Sequence, residues 1–299
     1  MPPRTVARPF FRPRSPELRY LPECPRQLRD GKRLTWVAIQ HGSDSKAGSL
    51  NVLDLATKEN RSYALPGRPG FTALTAEPEV LYVGVERSLV LFDLAAGRIV
   101  RTLAELPEDP RVIINEGTAV PDGVIFGTKH LGFSQPIAAL YHYGPTLREI
   151  RGGQVCSNGK FFHDGLLIDV DSQPKTITEY RYHPDRPLEA LRLIVPPDRL
   201  PAIPDGLRPT PDEKSIVVAY YNPGHVADGL AQQIRIADGE VEQEWIFPGS
   251  PRVTCPEFVT IDGRLQLLFT TSVEGMPAET MAIAPEAGSL FLADFPVRV

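Results

Sequence analysis

A hairpin-sized pattern recurs along this chain, and it limits the fold more than any other feature. Ser49-Leu50-Asn51-Val52-Leu53-Asp54-Leu55 and Ser88-Leu89-Val90-Leu91-Phe92-Asp93-Leu94 align at an offset of 88 − 49 = 39 residues. Each is followed by a small polar turn (Ala-Thr-Lys, Ala-Ala-Gly) and a second strand-like run. Looser copies occupy residues 137–143, 176–182, 232–237 and 289–295. The 31 prolines and 24 glycines interrupt the chain every few residues, leaving short β-rich intervals and no convincing amphipathic helix. That pattern predicts an all-β fold of many short strands. Six copies over 299 residues fit a six-bladed β-propeller, since a four-stranded blade needs about 40–50 residues. One blade cannot bury both of its faces; a ring of blades can, and it leaves a funnel on its axis. A pair of β-sandwiches would leave the repeated hairpin unexplained.

The propeller is expected over residues 17–299 as one domain, with residues 1–16, rich in Arg and Pro, as an irregular leader. With 32 basic and 37 acidic residues the formal charge is −5, which argues against the basic footprint of a nucleic-acid binder. No apolar run approaches the roughly 18 residues of a membrane helix. The N-terminal stretch has no apolar core of a secretory signal. Cys24, Cys156 and Cys255 are too few and scattered for a disulfide framework. These features together predict a cytoplasmic protein whose partner is a small-molecule substrate.

The stretch 204–224 is the expected working centre. It reads as a Pro204-Asp205-Gly206 turn, a second polar turn, and an apolar strand over residues 215–221 that ends at Pro223-Gly224. Three other oxygen-bearing side chains share the phase of Asp205, each a few residues before an inner strand. Glu23 precedes the run 34–39, Asn115 precedes 124–127, and Asn158 precedes 166–170. In a propeller such positions surround one end of the axis. Two carboxylates and two amide carbonyls form a hard-oxygen set of net charge about −2, suited to calcium, magnesium or manganese. Singly, each has a plain explanation. Asp205 and Asn158 precede glycine as turn residues do, Asn115 can satisfy a turn, and Glu23 can be exposed between prolines.

The motifs around these residues resemble the senescence marker protein, gluconolactonase and luciferin-regenerating-enzyme family, which includes regucalcin. Leu21-Pro22-Glu23-Cys24-Pro25 is similar to its Leu-Gly-Glu-Gly-Pro opening, and Asn115-Glu116-Gly117 with Pro121-Asp122-Gly123 and Gly127-Thr128 to its Asn-Asp-Gly segment. Ser157-Asn158-Gly159, Pro204-Asp205-Gly206, residues 252–258 with 268–272, and Gly288-Ser289-Leu290-Phe291 follow in the family's order. The resemblance implies a six-bladed propeller with one axial divalent cation, calcium first and zinc, manganese or magnesium as alternatives. It implies Glu23, Asn158 and Asp205 as ligands, with Asn115 as a further ligand or substrate contact. Members are chiefly sugar-lactone hydrolases, and related propellers cleave phosphotriesters. Here Glu116 replaces the family aspartate, Ile113 the arginine of the sugar lactonases, Lys129 a methionine and Cys24 a glycine. Substrate-facing positions change more than the cation positions do.

The expected activity is divalent-metal-dependent lactone hydrolysis. Metal polarises the ring carbonyl, Asp205 activates water, and Asn115, Glu116, Lys129 and His130 contact substrate. The alternatives are a non-catalytic propeller that binds calcium or a small ligand, and a phosphotriesterase-like hydrolase. The six histidines show no metal-binding spacing, and no Gly-x-Ser-x-Gly elbow or phosphate loop is present. A thiol site drawing on Cys24, Cys156 and Cys255 is a further rival, since Cys24 adjoins Glu23 and Cys156 lies two residues before Asn158, near the expected axis.

Overall fold

The computed structural model describes residues 2–107 and 109–296. Six sheets, each built on four antiparallel strands, form the blades of a propeller. Their first strands are Pro22–Gln27, Pro69–Leu74, Val112–Val120, Ser157–His163, Ile203–Pro209 and Val253–Ile261, for blades I to VI. Neighbouring first strands pack around a closed ring, the sixth against the first. All six repeated runs of the sequence fall on third strands: Ser49–Asp54, Ser88–Asp93, Ala138–Tyr143, Thr176–Arg181, Gly229–Arg235 and Leu290–Asp294.

Burial explains the strand compositions. The second strand of blade V, Ser215–Tyr221, is covered on both faces by its neighbours, and its Ile216-Val217-Val218-Ala219-Tyr220 run is wholly buried. A strand sandwiched in this way reads as continuous apolar sequence, with no alternation. Aromatic rings fill the wedges between blades: Phe71 stacks on Phe126 at 6.1 Å and Phe247 meets Phe269 edge-on at 4.7 Å. Outside blade V, whose fourth strand takes on a further strand, the fourth strands are rim edges. Arg98–Glu105 alternates charge with partly covered aliphatics, a composition that discourages edge-to-edge pairing.

The N-terminal segment corrects one expectation. Residues 1–16 were expected to be irregular, yet Arg4–Val6 pairs in parallel with the last strand of blade V, and Arg8–Phe11 forms the outermost strand of blade VI. Pro9 is tolerated because the strand lies at an edge, where a missing N–H breaks no ladder. Phe10 and Phe11 pack on the core cluster of Leu34, Trp36 and Leu292. One short helix, Ala278–Ile283, follows blade VI's second strand. Among the described residues no helix is long and apolar enough to cross a membrane.

Every first strand loses register within its first half. The breaks lie between Glu23 and Arg26, Pro69 and Phe71, Ile114 and Gly117, Ser157 and Lys160, Pro204 and Leu207, and Val253 and Cys255. These bulges bend the strand and re-aim the side chains they free. The expected Pro204-Asp205-Gly206 turn is therefore a bulge inside a strand, as is Asn158-Gly159. The crowding at the axis explains the glycines: a Cβ on Gly206 would lie 2.6 Å from the Cys255 Sγ, and one on Gly159 would strike the backbone of Leu207.

Candidate functional site

The bulges deliver Glu23, Asn115, Asn158 and Asp205 to one cavity of about 420 Å³ at one end of the axis. All four are buried, with 4–7% of their surface exposed. Sequence reasoning had brought the same four together, and the ring of blades is what makes them neighbours.

Their orientations are fixed by hydrogen bonds. Asn115 Nδ2 donates to the Ser157 carbonyl and to Asn158 Oδ1, both at 3.0 Å. Since a carbonyl only accepts, the Asn115 amide cannot be turned the other way. Ser172 Oγ donates to the Pro204 carbonyl at 2.7 Å and accepts from Asn158 Nδ2 at 2.9 Å. That chain fixes Asn158 Oδ1 and ties it to the strand that carries Asp205. Glu23 Oε2 accepts from the Cys24 N–H at 3.1 Å. Asp205 Oδ1 is buried with no hydrogen-bond partner.

Burial pushes Glu23 far above the usual carboxylate range, and the charges of Glu116 and Cys24 add to the shift. Burial does the same to Asp205, with Glu23 the next cause. Two carboxylates in one cavity, one carrying an orphaned oxygen, form a site that gains from a cation. Among the described residues no group of three His, Cys, Asp or Glu side chains gathers as metal ligands. The donor set here is two carboxylates completed by amide oxygen. The Asn158 oxygen keeps a second lone pair, so the residues present fit a hard divalent ion.

Two expected substrate contacts lie elsewhere. Glu116 follows Asn115 but reaches down the axis, where Arg208 Nη1 pairs with it at 3.1 Å and Arg26 Nη2 stands at 3.9 Å. The same arginines hold Glu257 at 3.0 and 3.4 Å. Two guanidinium and two carboxyl groups thus plug the channel below the cavity. His130 is a loop pin: its Nδ1 accepts from the N–H groups of Ser134 and Gln135 at 3.2 and 3.1 Å. Lys129 does line the cavity, joined by Tyr221, Arg252 and Glu274, which sequence reasoning did not assign. Arg252 carries the only legible signal of the three, standing one residue before the first strand of blade VI. The three cysteines are free and buried. Cys156 lies against Asn115 and Asn158 at the cavity, Cys24 follows Glu23 with its Sγ on the Thr72 carbonyl, and the Cys255 Sγ meets Glu116 Oε1 at 3.7 Å.

The plug yields a pH expectation. Burial raises Glu257 to about 7 from an ordinary 4.5, against the pull of Arg26. A carboxyl with a raised folded value binds its proton more tightly when folded. Its contribution to stability is therefore full below 4.5 and is lost as pH rises towards 7. Glu257→Gln should consequently gain stability relative to the parent between pH 5 and 8, read as denaturant midpoints at each pH. A difference that stays constant across that window would contradict the assignment.

A larger groove of about 1160 Å³ runs over the outside between the N-terminal segment and blade I. Arg33, Asp54 and Lys58 in its lining are bonded to Glu79 or to backbone, which leaves the axial cavity as the candidate site.

Comparison with known proteins agrees with this fold. L-arabinolactonase of Azospirillum brasilense is 28% identical over 239 residues, 77% of this chain and 76% of that one. The calcium-binding protein regucalcin of Agrobacterium tumefaciens superposes with a TM-score of 0.81 at 19% identity, covering 97% of this chain and 94% of that one. A luciferin-regenerating enzyme gives 0.77 at 17% identity over 93% and 92%. A gluconolactonase of Xanthomonas campestris gives 0.69 at 14% over 93% and 86%. At these identities the solved structures establish the fold. Residues 21–273 match the family described as the SMP-30/gluconolactonase/LRE-like region. With 273 − 21 + 1 = 253 of its 299 residues inside that match, the chain belongs to the SMP-30/gluconolactonase/LRE-like family.

Proposed function

We propose that this chain is a lactone hydrolase that works with one divalent cation held by Glu23, Asn158 and Asp205. The observation that carries the reading is the partnerless, buried Oδ1 of Asp205, set beside a second buried carboxylate in a ligand-sized cavity. The family and the names of its relatives, L-arabinolactonase and gluconolactonase, support the reaction class. The calcium-binding relative supports the cation, with calcium the first candidate.

A divalent ion in this donor set supplies Lewis-acid polarisation of the ring carbonyl and offsets the charge that grows on its oxygen. The chain supplies the rest. Asp205 Oδ1, with no competing donor, accepts the proton of the attacking water as general base. Ser172 and Asn115 hold Asn158 in its rotamer. The apolar cavity wall of Leu21, Ile39 and Ile203 excludes bulk water and strengthens these interactions. Lys129 stands over the cavity as a substrate contact together with Asn115.

A panel of sugar lactones assayed with calcium, zinc, manganese or magnesium tests the reading. Turnover that a chelator removes and added metal restores is the expected result. Metal-dependent thermal stabilisation with no turnover on any lactone would replace the hydrolase with a non-catalytic cation-binding propeller.

A further inference from the structure

The cavity wall holds two cations, Arg252 and Lys129, that take no part in the bond-breaking steps. Arg252 is 98% buried, and its Nε and Nη1 have no hydrogen-bond partner. Its Nη2 makes only a long bond of 3.4 Å to the Gly275 carbonyl. The guanidinium is held in place by the Tyr221 ring, 5.2 Å away. Tyr221 in turn donates to the Glu274 carbonyl at 2.9 Å, with Glu274 Oε2 at 3.5 Å. Among the described residues no carboxylate forms an ion pair with Arg252 or Lys129. Lys129 is 94% buried, and its Nζ lies 5.8 Å over the Phe133 ring. Both side chains line the same 420 Å³ cavity as Asp205.

A desolvated guanidinium with idle donors is costly to maintain unless a ligand completes it. We infer that Arg252 and Lys129 form an anion subsite, and that the substrate is a lactone bearing a free carboxylate, such as the monolactone of a sugar diacid. The inference rests on the lactonase reading of the same cavity. The planar fork of an arginine matches a carboxylate in two parallel hydrogen bonds, and either edge of the Arg252 fork contains a donor with no partner. Charge gives the same answer. Glu23, Asp205 and Glu274 against Lys129 and Arg252 leave −3 + 2 = −1 in the cavity lining. A divalent ion turns that to +1, which one carboxylate neutralises and a doubly charged phosphate overshoots. In the reaction, water adds to the ring carbonyl and the ring C–O bond breaks. The ring oxygen takes a proton, and a hydroxy-dicarboxylate with one released proton results; the carboxylate on Arg252 is unchanged.

Glucarolactone, gluconolactone and arabinonolactone are the probes, with parent, Arg252→Met, Arg252→Lys and Lys129→Met proteins. The parent is expected to favour glucarolactone in kcat/KM by about 100-fold, chiefly through KM. Arg252→Met should collapse that ratio, and Arg252→Lys should restore part of it. A second readout is calorimetric binding of glucuronate, a singly charged carboxylate, against neutral glucose, expected for glucuronate only and lost in Arg252→Met. If neutral lactones are cleaved and the ratio is the same in parent and Arg252→Met, the subsite is overturned while the lactonase reading survives. If no lactone is cleaved with any metal, the lactonase reading fails, and Arg252-dependent glucuronate binding alone upholds the subsite. Glucuronate binding that Arg252→Met leaves intact overturns it.

Discussion

Asp205→Asn is expected to lower lactone turnover by about a hundred- to ten-thousand-fold, the range that loss of a positioned general base produces. The replacement is nearly isosteric, so the bulge between Pro204 and Leu207 is retained, and the loss reports chemistry and not collapse. The same variant should be more stable than the parent when cations are chelated. Burial and the Glu23 charge both weigh against the Asp205 carboxylate, and an amide removes that repulsion. Lower activity with higher metal-free stability is a signature that a purely structural aspartate would not give. Wild-type turnover on every lactone cleaved by the parent would remove Asp205 from the mechanism.

Glu23→Gln addresses the cation. A ligand that binds only the folded protein raises stability by about 2.7 kcal/mol when present at a hundred times its dissociation constant. The parent should show a rise of that order with calcium or manganese, followed as a thermal midpoint. Glu23→Gln should lose most of it, because an amide in place of one of two carboxylates halves the charge facing the ion. An equal rise in both proteins would place the cation elsewhere.

The third strands were legible because each combines an apolar run with a local turn, a short-range signal that survives divergence. The first strands were not. Their defining feature is a bulge, which has no sequence signature, and Asp205-Gly206 and Asn158-Gly159 carry the chemistry of tight turns. The glycines serve close backbone approach at the axis instead. The four site residues were still found, since their phase relative to the following strand is preserved whether the segment is a turn or a bulged strand. Glu116 was misplaced for a related reason. Adjacent residues of a strand point in different directions, so Asn115 enters the cavity while Glu116 joins Arg26 and Arg208 beneath it. His130 failed because its role is local, holding the loop of Ser134 and Gln135. The N-terminal strands were hidden by prolines, which edge positions accept. Arg252 was missed because nothing in its sequence neighbourhood shows that its donors lack partners; only the packed structure reveals that.

Diffraction from crystals grown with manganese, collected at wavelengths where that ion scatters anomalously, tests the centre of this account most directly. One strong peak enclosed by the Glu23 and Asp205 carboxylates and the Asn158 amide oxygen is the predicted result. A manganese peak away from all three, or none in crystals of the active protein, would contradict it.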